Sequence, residues 1–198
     1  MTSITRLVVL GSVRQFQPAH GYFLRRELST WHVDEWANIQ PGSIYNALRS
    51  LERDGYISVS VEAKDRDGNG KGPEKTRYSI TPEGEVELLR MLRDELWHVS
   101  PFDMRAPMII SSFMFALTRQ EVIAGLEHRI GEIDAVVATN QFHIEDTARS
   151  ATTPAYVREI FELSSARLHG EQTWVRQLLA RLRDGEYRFA DEAESDIA

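Results

Sequence analysis

The feature that most constrains this chain is a change of hydrophobic period at Gly55. Before it, Ile44, Leu48 and Leu51 recur at spacings of four and three, the period of a helix with one buried face. After it, Tyr56-Ile57-Ser58-Val59-Ser60-Val61 alternates, the period of a strand. Pro41-Gly42-Ser43 opens the helix and Gly55 closes it. Residues 42–54 therefore read as a short amphipathic helix that runs into a strand. Lys64 to Glu74 contains three glycines and a proline and reads as a turn-rich loop. Lys75 to Ile80 reads as the returning strand, which completes a hairpin.

Two helices are expected upstream. Ile4, Leu7, Val8 and Leu10 begin one that ends near Phe16, broken by Gln17-Pro18-Ala19. His20 to Trp31 reads as the second. Asp34 to Asn38 is compatible with a helical turn or a loop. Downstream, Thr81-Pro82 restarts a helix with Thr81 as N-cap and Pro82 at its first position. Leu88, Leu89, Leu92 and Leu96 form its apolar stripe. The order of three helices, hairpin and helix predicts a winged helix-turn-helix.

That element order suggests a chemistry. A helix fits the major groove of B-DNA, which is about 12 Å wide. The outward face of residues 42–54 carries Ser43, Asn46, Arg49, Ser50 and Arg53. Arginine can reach guanine edges and asparagine adenine edges. The hairpin tip adds Lys64, Arg66, Lys71 and Lys75, with Arg77 beyond them, against Asp65, Asp67 and Glu74. This is a local basic excess suited to phosphate contact. It stands out because the whole chain carries 23 basic and 30 acidic residues, a formal charge of -7. The acid excess lies in the second half, which contains no lysine. Such a split suggests two modules with different tasks.

The same residues carry a family resemblance. His20-Gly21-Tyr22, Gln40-Pro41-Gly42-Ser43-Ile44-Tyr45-Asn46-Ala47-Leu48 and Leu51-Glu52-Arg53-Asp54-Gly55-Tyr56-Ile57 follow in order. Gly72-Pro73-Glu74-Lys75 and Tyr78-Ser79-Ile80-Thr81-Pro82-Glu83-Gly84 follow them. Over about residues 5–95 the chain resembles PadR-type transcriptional regulators. The resemblance implies operator recognition by a homodimer, with Tyr22, Gln40, Ser43, Tyr45, Asn46 and Arg49 on the recognition surface and Lys75 on the wing. Tyr45 could equally serve packing or phosphate contact. Asn46 stands where the family often has proline, and Arg77 where an apolar residue is common.

From residue 97 the chain reads as all-helical. Thr118-Arg119-Gln120-Glu121 is a capping box. Behind it Val122, Leu126, Ile130, Ile133, Val137 and Ile144 recur at helical spacing. Pro154 opens another long helix, with Phe161, Leu168, Val175, Leu178, Leu179 and Leu182 on one side. The expectation is that two such stripes exceed what they can bury on each other, so a second copy covers Leu126, Ile130, Ile133, Val137, Phe161, Leu168, Val175, Leu178 and Leu182. Dimerisation through C-terminal helices is also what the resemblance implies. The alternative is an intramolecular bundle and a monomer.

Trp97, Phe102, Met104, Met108, Phe113, Met114 and Phe115 cluster in sequence between the modules. They suggest an adaptable apolar pocket for a small aromatic or apolar effector, with Trp97, Phe102 and Met108 as contacts; ordinary core is the alternative.

The expected architecture is mainly α. It comprises a winged helix-turn-helix over 1–96, a helical dimerisation and effector domain over 97–190, and a disordered acidic tail over 191–198. The absence of cysteine excludes disulfides, thiol nucleophiles and cysteine metal sites. No phosphate loop, dinucleotide fingerprint, nucleophile elbow or zinc-protease motif occurs. No enzyme, metal or cofactor is expected. Met1 to Leu10 is too short and interrupted for a signal peptide, and no segment approaches the roughly 20 apolar residues of a membrane span. The expected protein is a cytoplasmic transcriptional regulator, a repressor on an inverted-repeat operator. The rival is a small-molecule sensor or interaction module without DNA binding.

Overall fold

The computed structural model describes residues 4–61, 76–189 and Glu192. The fold is mainly helical with one small antiparallel sheet. It divides into two compact units, Met1–Leu92 and Arg93–Ala198.

In the first unit α1 (Ile4–Phe16) is buried at every position from Leu7 to Val13. A helix apolar on all sides needs cover on all sides. It packs against α2 (Gly21–Thr30), α4 (Pro41–Arg53) and the sheet. The sheet contains a strand that the pattern did not reveal. Ala19–His20 is a two-residue β1, not a helix start, and pairs with β3 (Thr76–Ile80) through Ala19 opposite Tyr78 and His20 opposite Arg77. On its other side β3 pairs with β2 (Ile57–Val61), with Ile57 opposite Ile80 and Val61 opposite Thr76. The order is β1-β3-β2. Val33–Trp36 forms the short α3, followed by Asn38 at φ 54°.

Helix α5 (Pro82–Trp97) begins as expected: Thr81 Oγ1 accepts from the Gly84 amide at 3.0 Å. The same hydroxyl donates to the Gly55 carbonyl at 2.7 Å. One threonine thus ties the end of the α4 turn to the start of α5.

The second unit contains α6 (Arg105–Phe113), a 3₁₀ turn (Met114–Ala116), α7 (Arg119–Arg149) and α8 (Arg158–Arg183). Thr118 caps α7 by accepting from the Glu121 amide at 3.2 Å. The Glu121 carboxylate turns to Arg93. The long α8 is preceded by a 3₁₀ turn, Ala155–Val157, where the sequence suggested that one helix begins at Pro154.

The side chains expected at the dimer face are largely covered within this unit. Leu126, Ile133, Leu168, Val175, Leu178 and Leu182 are buried inside this unit, and Ile130, Val137 and Phe161 are half-buried. Helices α7 and α8 pack along one another and cover these side chains. The reason is the polar content of the seam, which lets two helices match without a wide apolar face. Asn140 Nδ2 donates to Ser164 and Ser165, each at 3.1 Å, and Gln172 Nε2 donates to Asp134 at 2.6 Å. At its lower end Arg129, 1% exposed, donates to Glu171 at 2.5 Å and to the carbonyls of Glu95 and His98.

Of the tail, Glu192 is among the described residues. Glu192 was expected in a disordered segment, yet its carboxylate is held by Arg119, which also donates to the Leu182 and Tyr187 carbonyls. Phe189 is buried beside it, under the guanidinium and against Phe115. No helix among the described residues is long and apolar enough to cross a membrane.

Candidate nucleic-acid interface

Helix α4 is built to present one face. Ile44, Ala47, Leu48 and Leu51 are buried, at positions that share a side of a helix. Gly55 closes it at φ 79°, where the Tyr56 amide donates back to the Leu51 carbonyl at 2.9 Å. Pro41 occupies the first turn, and exposed Gln40 before it makes no side-chain cap. A Cβ placed on Gly42 would meet nothing within 4 Å, so the start of α4 is open to approach. Amide donors at an open helix start suit an anion such as a phosphate.

The outward face carries half-buried Ser43 and exposed Tyr45, Asn46 and Arg49. Arg49 donates through one terminal nitrogen to Asn46 Oδ1. Beyond them Arg53 and Arg6 hold Asp54, and hydrogen bonds from both guanidiniums keep its carboxyl below the ordinary carboxylate range. Both arginines are engaged at the C-terminal end of α4, which Arg6 reaches from α1, so Arg49 carries the cationic character of the outward face.

Tyr45 is packed on one side and open on the other. Its ring lies against Gly21, where a Cβ would come 3.2 Å from Cε1, yet the residue is 37% exposed. Gly21 thus gives the ring room to lie down beside Tyr78. The Tyr78 phenol is pushed above its ordinary value, chiefly by burial. Tyr22 is more open, at 59%, and its ring stacks on His20 at 5.5 Å. His20 is in turn fixed by a 3.0 Å hydrogen bond between Nδ1 and the Thr76 carbonyl. The structure therefore brings Tyr22, Gln40, Ser43, Tyr45, Asn46 and Arg49 to one scaffold. Lys64, Arg66, Lys71 and Lys75 lie outside the described residues. Spacing puts Asn46 and Arg49 one turn apart, but the joining of their side chains is visible only in the structure.

Trp97, Phe102 and Met108 are 42%, 61% and 44% exposed, while Phe113 and Met114 are buried. The Trp97 ring lies 5.0 Å from that of His128. A concavity of the second unit is an open groove of about 400 Å³ between α7 and α8, walled by Val137, Ile144, Arg158, Glu162 and His169. Among the described residues no three His, Cys, Asp or Glu side chains gather as a metal site.

Residues 9–90 match the model of the family described as transcriptional regulator PadR-like. No curated protein matches the chain. Among solved structures, Bacillus subtilis PadR in complex with operator DNA is 22% identical, with 89% of this chain and 98% of that chain covered and a TM-score of 0.38. The PadR-like transcriptional regulator BC1756 from Bacillus cereus is 20% identical, covering 91% and 99%, with a TM-score of 0.35. Bacillus subtilis PadR in complex with p-coumaric acid is 19% identical, covering 92% and 99%, also at 0.35.

Proposed function

We propose that this chain is a sequence-specific DNA-binding regulator of the PadR-like kind that occupies an inverted-repeat operator as a homodimer, a reading supported by the match of residues 9–90 to that family's model. The observation that carries the reading is the two-sidedness of α4. Its apolar side is spent on the core, and its polar side, with Asn46 and Arg49 exposed, is left to a partner. A duplex presents the matching surface in its major groove. Tyr22, Gln40, Ser43 and Tyr45 flank that face, and the wing side chains Lys64, Arg66, Lys71 and Lys75 supply phosphate contacts. Bound across a promoter, such a dimer acts as a repressor by excluding polymerase.

One recognition helix reads few base pairs, so a twofold pair spanning half-sites about 34 Å apart supplies the needed specificity. The buried α7 and α8 stripes are not the surface for this pairing. Ile160 and Leu163 are 54% and 62% exposed, and Phe142 and Tyr156 are exposed as well. These side chains replace the buried ones as the dimer contacts. Trp97, Phe102 and Met108 remain the proposed contacts for a small apolar or aromatic effector.

The test is selection of bound fragments from random duplexes by the full chain, followed by affinity measurements over a salt series. The expected result is a symmetric enriched site whose affinity falls steeply with salt. Failure to enrich any duplex, together with salt-insensitive weak binding, would overturn the reading in favour of a sensor without DNA binding.

A further inference from the structure

We propose that Asn46 and Arg49 act as one donor-only reader, selecting guanine beneath Arg49 and a guanine or thymine edge beneath Asn46, and rejecting adenine there. The inference rests on the DNA-binding reading of α4 and names the bases that it takes.

The two residues lie three apart on the exposed face of α4, the spacing at which helical side chains meet. The hydrogen bond between them has one chemical polarity. A guanidinium offers only donors, so the amide atom facing it must be the oxygen. Arg49 therefore holds Asn46 Oδ1, and the Asn46 amide nitrogen points its two hydrogens elsewhere.

This changes what Asn46 can read. Asparagine recognises adenine with both amide atoms: the oxygen accepts from N6 while the nitrogen donates to N7. Here one lone pair of the oxygen is held by Arg49, and the positive guanidinium beside it repels the electropositive amino group of an incoming adenine. The nitrogen remains, and it seeks an acceptor. In the major groove guanine O6 and N7 and thymine O4 can accept from it; adenine N7 can as well, but only by bringing the adjacent N6 amino group toward the guanidinium, and cytosine presents an amino donor. Arg49 gives up only one of five N–H groups, and its remaining donors have no partner among the described residues. They suffice for the paired contact to guanine O6 and N7. The pair is also stiffer than two separate side chains, because each restricts the other's rotamers before DNA arrives. Asn46 is thus a positioning residue for Arg49 as well as a reader.

Three variants separate these roles, each selected on random duplexes as the full chain. Both positions are exposed, so circular dichroism should show unchanged folding. R49A is expected to lose the guanine. N46A removes both the strut and the donor; the neighbouring preference should vanish and discrimination for guanine should fall by about tenfold. N46D keeps an oxygen for Arg49 but has no amide hydrogens. It should retain the guanine while the neighbouring position switches to bases that present an amino group. The proposal is overturned if the wild-type chain enriches adenine at the position that responds to Asn46. It is equally overturned if N46A leaves the guanine preference intact. A wild-type chain that enriches no duplex at all overturns the underlying DNA-binding reading, an outcome distinct from the other two.

Discussion

At the scale of single residues, a few side chains have roles that their type alone does not announce. Gly84 is one. A Cβ there would stand 1.9 Å from the Tyr56 carbonyl oxygen, and that neighbour is backbone, which cannot swing aside. Gly84→Ala is expected to destabilise the winged unit by about 2 kcal/mol or more, read from urea unfolding. Gly21 faces gentler crowding from side-chain atoms of Tyr45, Tyr78 and Leu48, so its alanine variant should cost less. Glu192 shows how a residue of a sequence-level tail becomes structural. The Arg119 guanidinium holds its carboxyl down at about 2, against an ordinary 4.5. A depressed carboxyl stabilises the fold in its charged form. That contribution is present in full above pH 4.5 and is lost as pH falls through about 2. An NMR titration of the Glu192 side-chain carboxyl should give its midpoint near 2, and Arg119→Met should return it toward 4.5. Nothing in the spacing of Arg119 and Glu192, 73 residues apart, could have shown this link.

At the scale of elements, periodicity was informative wherever one face is buried. The α4 face, the β2–β3 hairpin and the capping of α5 and α7 by Thr81 and Thr118 all follow from local rules. β1 escaped because two residues carry no period; it exists because β3 offers an edge. The α7–α8 seam escaped for a different reason. Its apolar residues were legible, but its polar pairs determine who covers them. Arg129 is the strongest case, a charge buried at the meeting of α5, α7 and α8. Arg129→Met should cost about 3–5 kcal/mol, since it leaves the Glu171 carboxylate buried without a counter-ion. Arg129→Met with Glu171→Leu should recover much of the loss. A double-mutant cycle by chemical denaturation measures the difference, and additive losses would show that the two groups are not coupled.

At the scale of the whole molecule, the proposed homodimer brings two recognition helices to one duplex. Ile160→Asp with Leu163→Asp is expected to yield a folded monomer by sedimentation, with operator affinity reduced at least tenfold because one half-site is lost. Leu168→Asp, at a buried site, should instead unfold the second unit, so circular dichroism distinguishes the two outcomes. A wild-type chain that sediments as a monomer at the concentrations used for DNA binding would refute the pairing. The sequence by itself determined the helices, the hairpin and the outward chemistry of α4, because hydrophobic period and turn chemistry act over a few neighbouring residues. Only the tertiary structure decided that Arg49 leans on Asn46, that Arg129 lies buried against Glu171, and that the long stripes of α7 and α8 are consumed within one chain. Rotamer choice, ion pairing and burial depend on which surfaces meet, and surfaces distant in sequence meet only once the chain has folded.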